Sequence, residues 1–236
     1  MKCVILQPSY IPWRGYFHQI QKADLFVYYD DVQYDKNGWR NRNRILGPNG
    51  PMWLTIPAKV KGFPLIQDVE IDEKVHWQKK HWRSFENSYS KAPHFAEVSE
   101  LLLPFYEEPA PRLADFTIAT TTAISDWLGL NTRFIRSSAI ESNGTKTDRL
   151  VEILTAIGAT HYISGPAAKD YLEEGKLEAA GISLEYMSYD YPDYPQLHGH
   201  NEQALSILDL IFMVGRDVGP YIWEHRDSTT KVCHDA

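Results

Sequence analysis

The sequence predicts an α/β protein: a Rossmann-like, mostly parallel sheet in a single domain over residues 1–236, with a mainly helical insertion at about 66–129. Three observations carry this. Residues 2–29 read as strand, loop, helix, strand. Residues 133–187 alternate strand and helix again. Between them lie helix-length stretches with apolar faces.

The first strand is the apolar run at 2–7, which Pro8, Ser9 and Pro12 end. Phe17, Ile20 and Ala23 then recur at three-residue spacing, a helix face over about 15–23. A second strand follows at 25–29 and ends in Asp30 and Asp31. A helix this short makes a parallel crossover. Residues 35–53, rich in Gly and Pro, form a loop or hairpin, and 53–57 a strand. Lys59, Lys61 and Gly62 mark a basic turn, and the alternation at 66–71 marks a short strand. Helices follow at 73–90, 94–106 and 111–129, the last with Leu113, Phe116, Ala123, Ile124 and Trp127 on one face. The C-terminal half gives strands at 133–136, 158–165 and 184–187 and helices at 148–156 and 166–179. Thr145 is the expected cap of the first of these, with Asp148 three residues on. A Tyr- and Pro-rich loop at 188–200, a helix at 203–214 and a polar, fraying tail from about 226 complete the chain.

Composition narrows the function. Net charge is −7 and the pI near 5.7, which argues against general nucleic-acid binding, since that affinity rests on Lys and Arg neutralising phosphates. A local pocket for one nucleotide needs only a few cations and oriented amides. Two cysteines, Cys3 and Cys233, make neither a disulfide framework nor a metal knuckle. No run of about 18 apolar residues exists to span a membrane. The start Met-Lys-Cys-Val-Ile-Leu reads as a core strand without a cleavable leader, and the expected location is the cytoplasm.

Six constellations are candidates for chemistry. Gln7, Pro8, Tyr10, Trp13, Gly15 and Tyr16 surround a helix start, whose free N–H groups and positive dipole end suit a nucleotide phosphate. Gly15 would admit a phosphate close to the backbone, Arg14 adds charge, and His18 one turn on is a candidate catalytic group. The competing reading is a turn with a packed aromatic cluster. Asp30 and Asp31 at a strand end are candidates for general base or Mg²⁺ ligand, or a solvated turn. Trp39 precedes Arg40, Asn41, Arg42, Asn43 and Arg44. On a strand the asparagines share one face and the arginines the other, so Asn41, Arg42 and Asn43 are candidates to read sugar, phosphate or carboxylate. Lys146 to Arg149 enter a helix and are candidates for phosphate contact or a plain cap. Ser164, Gly165 and Lys169 stand where another strand enters a helix. His198 and His200 are read as solvated loop residues, and no metal site is expected. The sequence carries no nucleophile elbow, Walker loop or dinucleotide fingerprint.

The runs Gln7-Pro-Ser-Tyr-Ile-Pro-Trp-Arg-Gly-Tyr-Phe17, Ala-Asp-Leu-Phe-Val, Trp39-Arg-Asn-Arg-Asn-Arg-Ile45, Leu-Thr-Ile-Pro and Ser164-Gly-Pro-Ala-Ala-Lys-Asp-Tyr-Leu172 resemble the WbqC-like proteins, over nearly the whole chain. That resemblance implies a link with surface-polysaccharide (O-antigen) biosynthesis. The first unit is also distantly similar to Rossmann folds of the nucleotidyltransferase and pantothenate-synthetase type, which carry His-x-Gly-His at this helix start. Gly15 matches the glycine, but Trp13 and Tyr16 replace the histidines, which argues against adenylate transfer.

The functional expectation is an acyl or aminoacyl transferase or ligase acting on a nucleotide-linked amino sugar. The alternatives are a nucleotidyltransferase joining a sugar phosphate to a nucleotide, and a non-catalytic binding protein of a polysaccharide assembly complex. ATP or Mg²⁺ are the cofactors to test. A small-molecule nucleotide-sugar is the expected partner, with no membrane partner. The oligomeric state is left open.

Overall fold

Apolar β-formers on both sides of a strand require cover on both faces, and that is how the central strands are buried. The computed structural model describes residues 1–199 and 201–224. In chain order the elements are β1 (Lys2–Leu6), α1 (Arg14–Lys22), β2 (Leu25–Tyr28), β3 (Arg42–Gly47), β4 (Gly50–Thr55), β5 (Ala58–Lys59), β6 (Glu70–Ile71), α2 (Trp77–Tyr89), α3 (Phe95–Glu107), α4 (Leu113–Trp127), β7 (Arg133–Arg136), α5 (Lys146–Ala156), β8 (His161–Ser164), α6 (Glu174–Ala179), β9 (Ser183–Tyr186), α7 (Ile207–Val214) and α8 (Gly219–Ile222).

The central sheet has five parallel strands in the order β7-β2-β1-β8-β9. Cys3 lies opposite Leu25 on one side and Tyr162 on the other. Val4, Phe26 and Ile163 face one layer, with Phe17 and Ile20 of α1 and Ile124 of α4. Cys3, Ile5, Val27 and Tyr162 face the other, with Leu150, Ile153 and Leu154 of α5 and Leu177 of α6. Cys3 is a free buried thiol whose pKa burial pushes up to about 12; Cys233 and the tail from 226 lie outside the described residues.

The Rossmann-like expectation therefore holds, and the connections locate a functional edge. From β1 the chain winds outward through β2 to β7. From β8 it winds the other way, to β9. The loops after β1 and β8 thus diverge, which leaves a crevice at the carboxyl ends of these neighbours.

Between β2 and β7 lie the antiparallel hairpin β3–β4, the small β5–β6 pair and then α2, α3 and α4. Phe212 of α7 stacks on Tyr89 of α2 at 4.6 Å and ties α7 to this layer. No helix among the described residues is long and apolar enough to cross a membrane.

Several local expectations are corrected. The helix expected over 166–179 is split into a 3-10 turn, Pro166–Asp170, and α6. The N–H of Glu173 donates to Thr147 Oγ1 on α5 (3.2 Å), so a tertiary partner breaks the helical ladder there. The strand expected at 66–71 is a 3-10 turn, Ile66–Asp68, followed by two-residue β6. Thr145 occupies the N-cap of α5 but its side chain makes no capping bond. Glu152 instead accepts the N–H groups of Asn143 and Gly144, both at 2.8 Å. The helix expected from 203 begins at Ile207, because Ser206 caps it by accepting from Leu208 N–H.

One buried polar chain joins the loop after β1 to the insertion. Tyr10 Oη lies 2.7 Å from His81 Nδ1 and 2.7 Å from Tyr106 Oη. The other side of the imidazole meets the Thr55 carbonyl. Burial pushes the His81 pKa down from 6.5 to about 4, so the fold holds it neutral. The unfolded chain takes up this proton below about pH 6.5, and the folded protein only near 4. Stability should therefore fall as the pH drops through that window, by up to roughly 3 kcal/mol from this group. Thermal melts of wild type and His81→Gln at pH 7.5 and 5 check it. The acid-induced loss in Tm should be smaller in the variant; equal losses would remove His81 as the source.

Candidate functional site

A cavity of about 1100 Å³ opens at the crevice between the carboxyl ends of β1 and β8. Ile5, Leu6 and Gln7 supply one wall and Tyr162 of β8 another. Trp13 and Tyr16 come from the start of α1, Lys146 and Leu150 from α5, and Trp39, Arg40 and Asn43 from the segment leading into the hairpin.

Two segments that the sequence singled out are joined along this wall. Tyr10 N–H donates to the Trp39 carbonyl at 3.0 Å. The Asn43 side-chain amide donates to the carbonyls of Tyr10 (3.2 Å) and Ile11 (2.9 Å), and its oxygen accepts Arg44 N–H. Ile11 is buried with φ of +36°, a conformation that a β-branched residue adopts only when its surroundings impose it. Asn43 is what holds it. Arg40 Nη1 donates to Gln7 Oε1, and Tyr16 Oη donates to the Gln7 carbonyl at 3.1 Å.

The wall is positively charged in an acidic protein. Arg40 and Lys146 line it, and among the described residues no Asp, Glu or His does. The Arg40 side chain is only 12% exposed and its nearest acid, Asp35, stands 3.8 Å away and half in solvent. Its Nε is buried without a hydrogen-bond partner, and burial pushes its pKa down. A guanidinium in that setting stabilises an arriving anion. Lys146 opens α5 with φ of +51° and brings the uncapped, positive end of that helix to the wall.

Of the expected site residues, Gln7, Trp13, Tyr16, Trp39, Asn43 and Lys146 line the cavity. The others do not. Tyr10 lies beneath it in the His81 chain, and Pro8 is buried beside it in the loop. His18 is buried, with Nδ1 3.0 Å from Tyr191 Oη. Asp30 is fully buried, accepting Ser138 N–H and Oγ–H, both at 3.1 Å, with Arg136 at 3.7 Å. Asp31 pairs with Arg149 and lies 2.5 Å from Ser137 Oγ. Asn41 is turned inward and donates to the Ile56 carbonyl at 2.8 Å. Arg42 stacks over Trp53 at 4.4 Å. Ser164 lies 3.4 Å from Tyr162 Oη, Gly165 caps the following turn, and Lys169 sits over the Tyr186 ring. His198 meets the Ser88 carbonyl, and His200 lies outside the described residues. Among the described residues no group of three or more His, Cys, Asp or Glu side chains is placed to hold a metal ion.

Two roles read from sequence are corrected by the geometry. The space beside Gly15 is filled: a Cβ there would lie 2.3 Å from the Trp13 indole, so the glycine admits that ring rather than a phosphate. Arg14 is buried and spends its donors on the Pro192 and Tyr221 carbonyls and on Gln203. Sequence reasoning gave no role to Arg40, Tyr29 and Tyr162 of the lining set. Arg40 was visible in the arginine run, whereas the tyrosines carried no local signal beyond their place near strand ends.

Residues 7–219 match the model of the WbqC-like protein family. An uncharacterized protein of Mycobacterium tuberculosis is 43% identical over 225 residues, covering 94% of this chain and 97% of its own. No solved structure matches the chain.

The fit of Trp13 over Gly15 is testable. Helix propensity alone would favour Gly15→Ala by up to about 1 kcal/mol. The clash should reverse the sign, costing about 1–3 kcal/mol and lowering Tm by several degrees. A rise in Tm would show that the indole is free to move aside.

Proposed function

The chain belongs to the WbqC-like protein family, a family linked to polysaccharide biosynthesis, and from that premise we propose that it is an acyl or aminoacyl transferase acting on a nucleotide-linked amino sugar. One observation carries the reading: a large cavity at the sheet's switch point whose charged lining groups, among the described residues, are the cations Arg40 and Lys146. Open α/β sheets bind nucleotides at this position. In this reading Arg40 and Lys146 hold the diphosphate and Gln7 orients Arg40 through its side-chain oxygen. The enclosed apolar wall of Ile5, Leu150 and Tyr162 takes the nucleoside.

In the transfer step the sugar's amine attacks the acyl carbon of the donor. A C–N bond forms, the bond to the donor's leaving group breaks, and that group departs with the proton the amine loses. With no carboxylate or imidazole on the wall among the described residues, the cavity's part in this reading is to bind, orient and exclude water. ATP consumption would mark the ligase form of the same reaction. A second reading, a non-catalytic nucleotide-sugar-binding protein, is favoured by that same acid-free wall. Mass-spectrometric detection of acylated sugar separates the two.

The binding prediction is specific. Calorimetric titration with UDP- and dTDP-linked amino sugars should give saturable binding. Arg40→Ala should weaken it ten- to hundred-fold, the range expected for a charge-assisted hydrogen bond worth about 1.5–3 kcal/mol. Unchanged affinity in Arg40→Ala, or no binding by wild type at millimolar concentration, would defeat the reading.

A further inference from the structure

The mouth of the cavity carries a feature that the diphosphate site does not use. Trp39 lines the cavity yet is 48% exposed, and Trp53 on the outer face of β4 is 46% exposed. Their ring centroids lie 5.5 Å apart with planes inclined at 33°. The Arg42 guanidinium lies 4.4 Å over the Trp53 ring, and Arg44, opposite Trp53 in the hairpin register, lies at 5.9 Å. Among the described residues the Arg42 side chain makes no hydrogen bond and no ion pair, and its Nε is buried without a hydrogen-bond partner. The group is therefore held by stacking alone, with its donors unspent.

Two large indoles half in water are a cost to a fold that needs them only for packing. Their positions are nonetheless fixed by backbone: the Trp39 carbonyl accepts Tyr10 N–H, and Trp53 is paired across the hairpin. This makes a rigid aromatic platform continuous with the cavity. Trp39 and Arg40 are neighbours in the chain and both line the wall. A ring bonded directly to a diphosphate held at Arg40 would reach Trp39 on the mouth side.

We propose that Trp39, Trp53 and Arg42 form a pyranose subsite, in which the apolar C–H face of the sugar lies on the indole platform and its hydroxyl or amide oxygens accept from Arg42. The assignment rests on the nucleotide-sugar reading above and names which end of that ligand faces solvent. It also places the amine of the sugar at the open end, where an acyl donor can reach it.

Titrations of wild type, Trp39→Ala and Trp53→Ala with UDP-N-acetylglucosamine and with UDP test it, with dTDP-linked counterparts in parallel. Both variants should weaken nucleotide-sugar binding at least ten-fold while leaving nucleoside-diphosphate affinity within about two-fold. Far-UV circular dichroism should be unchanged and Tm should fall by no more than a few degrees, since both rings are only half buried. Equal losses for sugar-linked and free diphosphate would place the nucleoside on the platform and overturn the assignment, as would no loss for either. If wild type binds neither nucleotide nor nucleotide-sugar, the transferase reading falls by itself. Methyl N-acetylglucosaminide then decides the platform: binding that Trp39→Ala abolishes upholds the subsite, and no binding overturns it.

Discussion

The clamp that Asn43 places on the loop after β1 is the interaction on which the rest of the site depends. The loop must turn sharply from the strand end to the start of α1, and it does so through Ile11 at positive φ. Such a conformation costs on the order of 1–3 kcal/mol. Two side-chain donors to the Tyr10 and Ile11 carbonyls, with the Trp39–Tyr10 backbone bond, offset it. The same bonds fix where the hairpin root lies. Arg40 and Trp39 are brought to the cavity because their backbone is tied to the loop that lines it beside them. Fold and site are one construction here: an apolar residue at position 43 would leave the two carbonyls buried without donors and release both walls together.

A second constraint decides which charges the cavity keeps. At the carboxyl end of β2, Asp30 and Asp31 are met by the turn after β7 and by α5. Ser137, Ser138 and Arg136 engage Asp30, and Arg149 with Ser137 engages Asp31. Each acid is thus matched within the protein. Arg14 is likewise consumed by carbonyls of the C-terminal segments. What lines the crevice is Lys146 and Arg40, the latter with only a half-exposed acid, Asp35, 3.8 Å away. A protein of net charge −7 presents a cationic cavity by pairing its acids elsewhere, not by carrying a basic surface.

The legible parts of the chain are those whose pattern is local. The apolar runs of β1, β2 and β7 and the three-residue spacing in α1 carry their own periodicity. The turn around Pro48 and Asn49 marks the hairpin, with Gly47 opposite Gly50. The illegible parts are settled by distant partners. Thr147 ends the helix that local pattern continues through residue 173. Serines more than 100 residues away enclose Asp30. Arg40 escaped for a different reason. Strand alternation sorts side chains only within a strand, and β3 begins at Arg42. Asn41 and Asn43 do both turn inward as alternation expects, whereas Arg40 belongs to the preceding turn and takes its direction from Gln7.

The aromatic content gains a physical account from the hydroxyls rather than the rings. Tyr89 accepts Leu46 N–H and donates to Asp209, which also accepts from Tyr194 and Gln196. That carboxylate is fully buried, and burial pushes its pKa up. Tyr10 and Tyr106 likewise join the N-terminal loop to α2 and α3. Each of these tyrosines fills a core position and also satisfies a polar group that would otherwise be stranded. Tryptophan is divided differently. Trp77 is enclosed between Phe116 and Tyr106, whereas Trp39 and Trp53 stay at the surface beside the cavity mouth. Packing explains the enclosed ring. It does not explain the exposed pair, and that contrast within one residue type is why the pair is read as a binding surface.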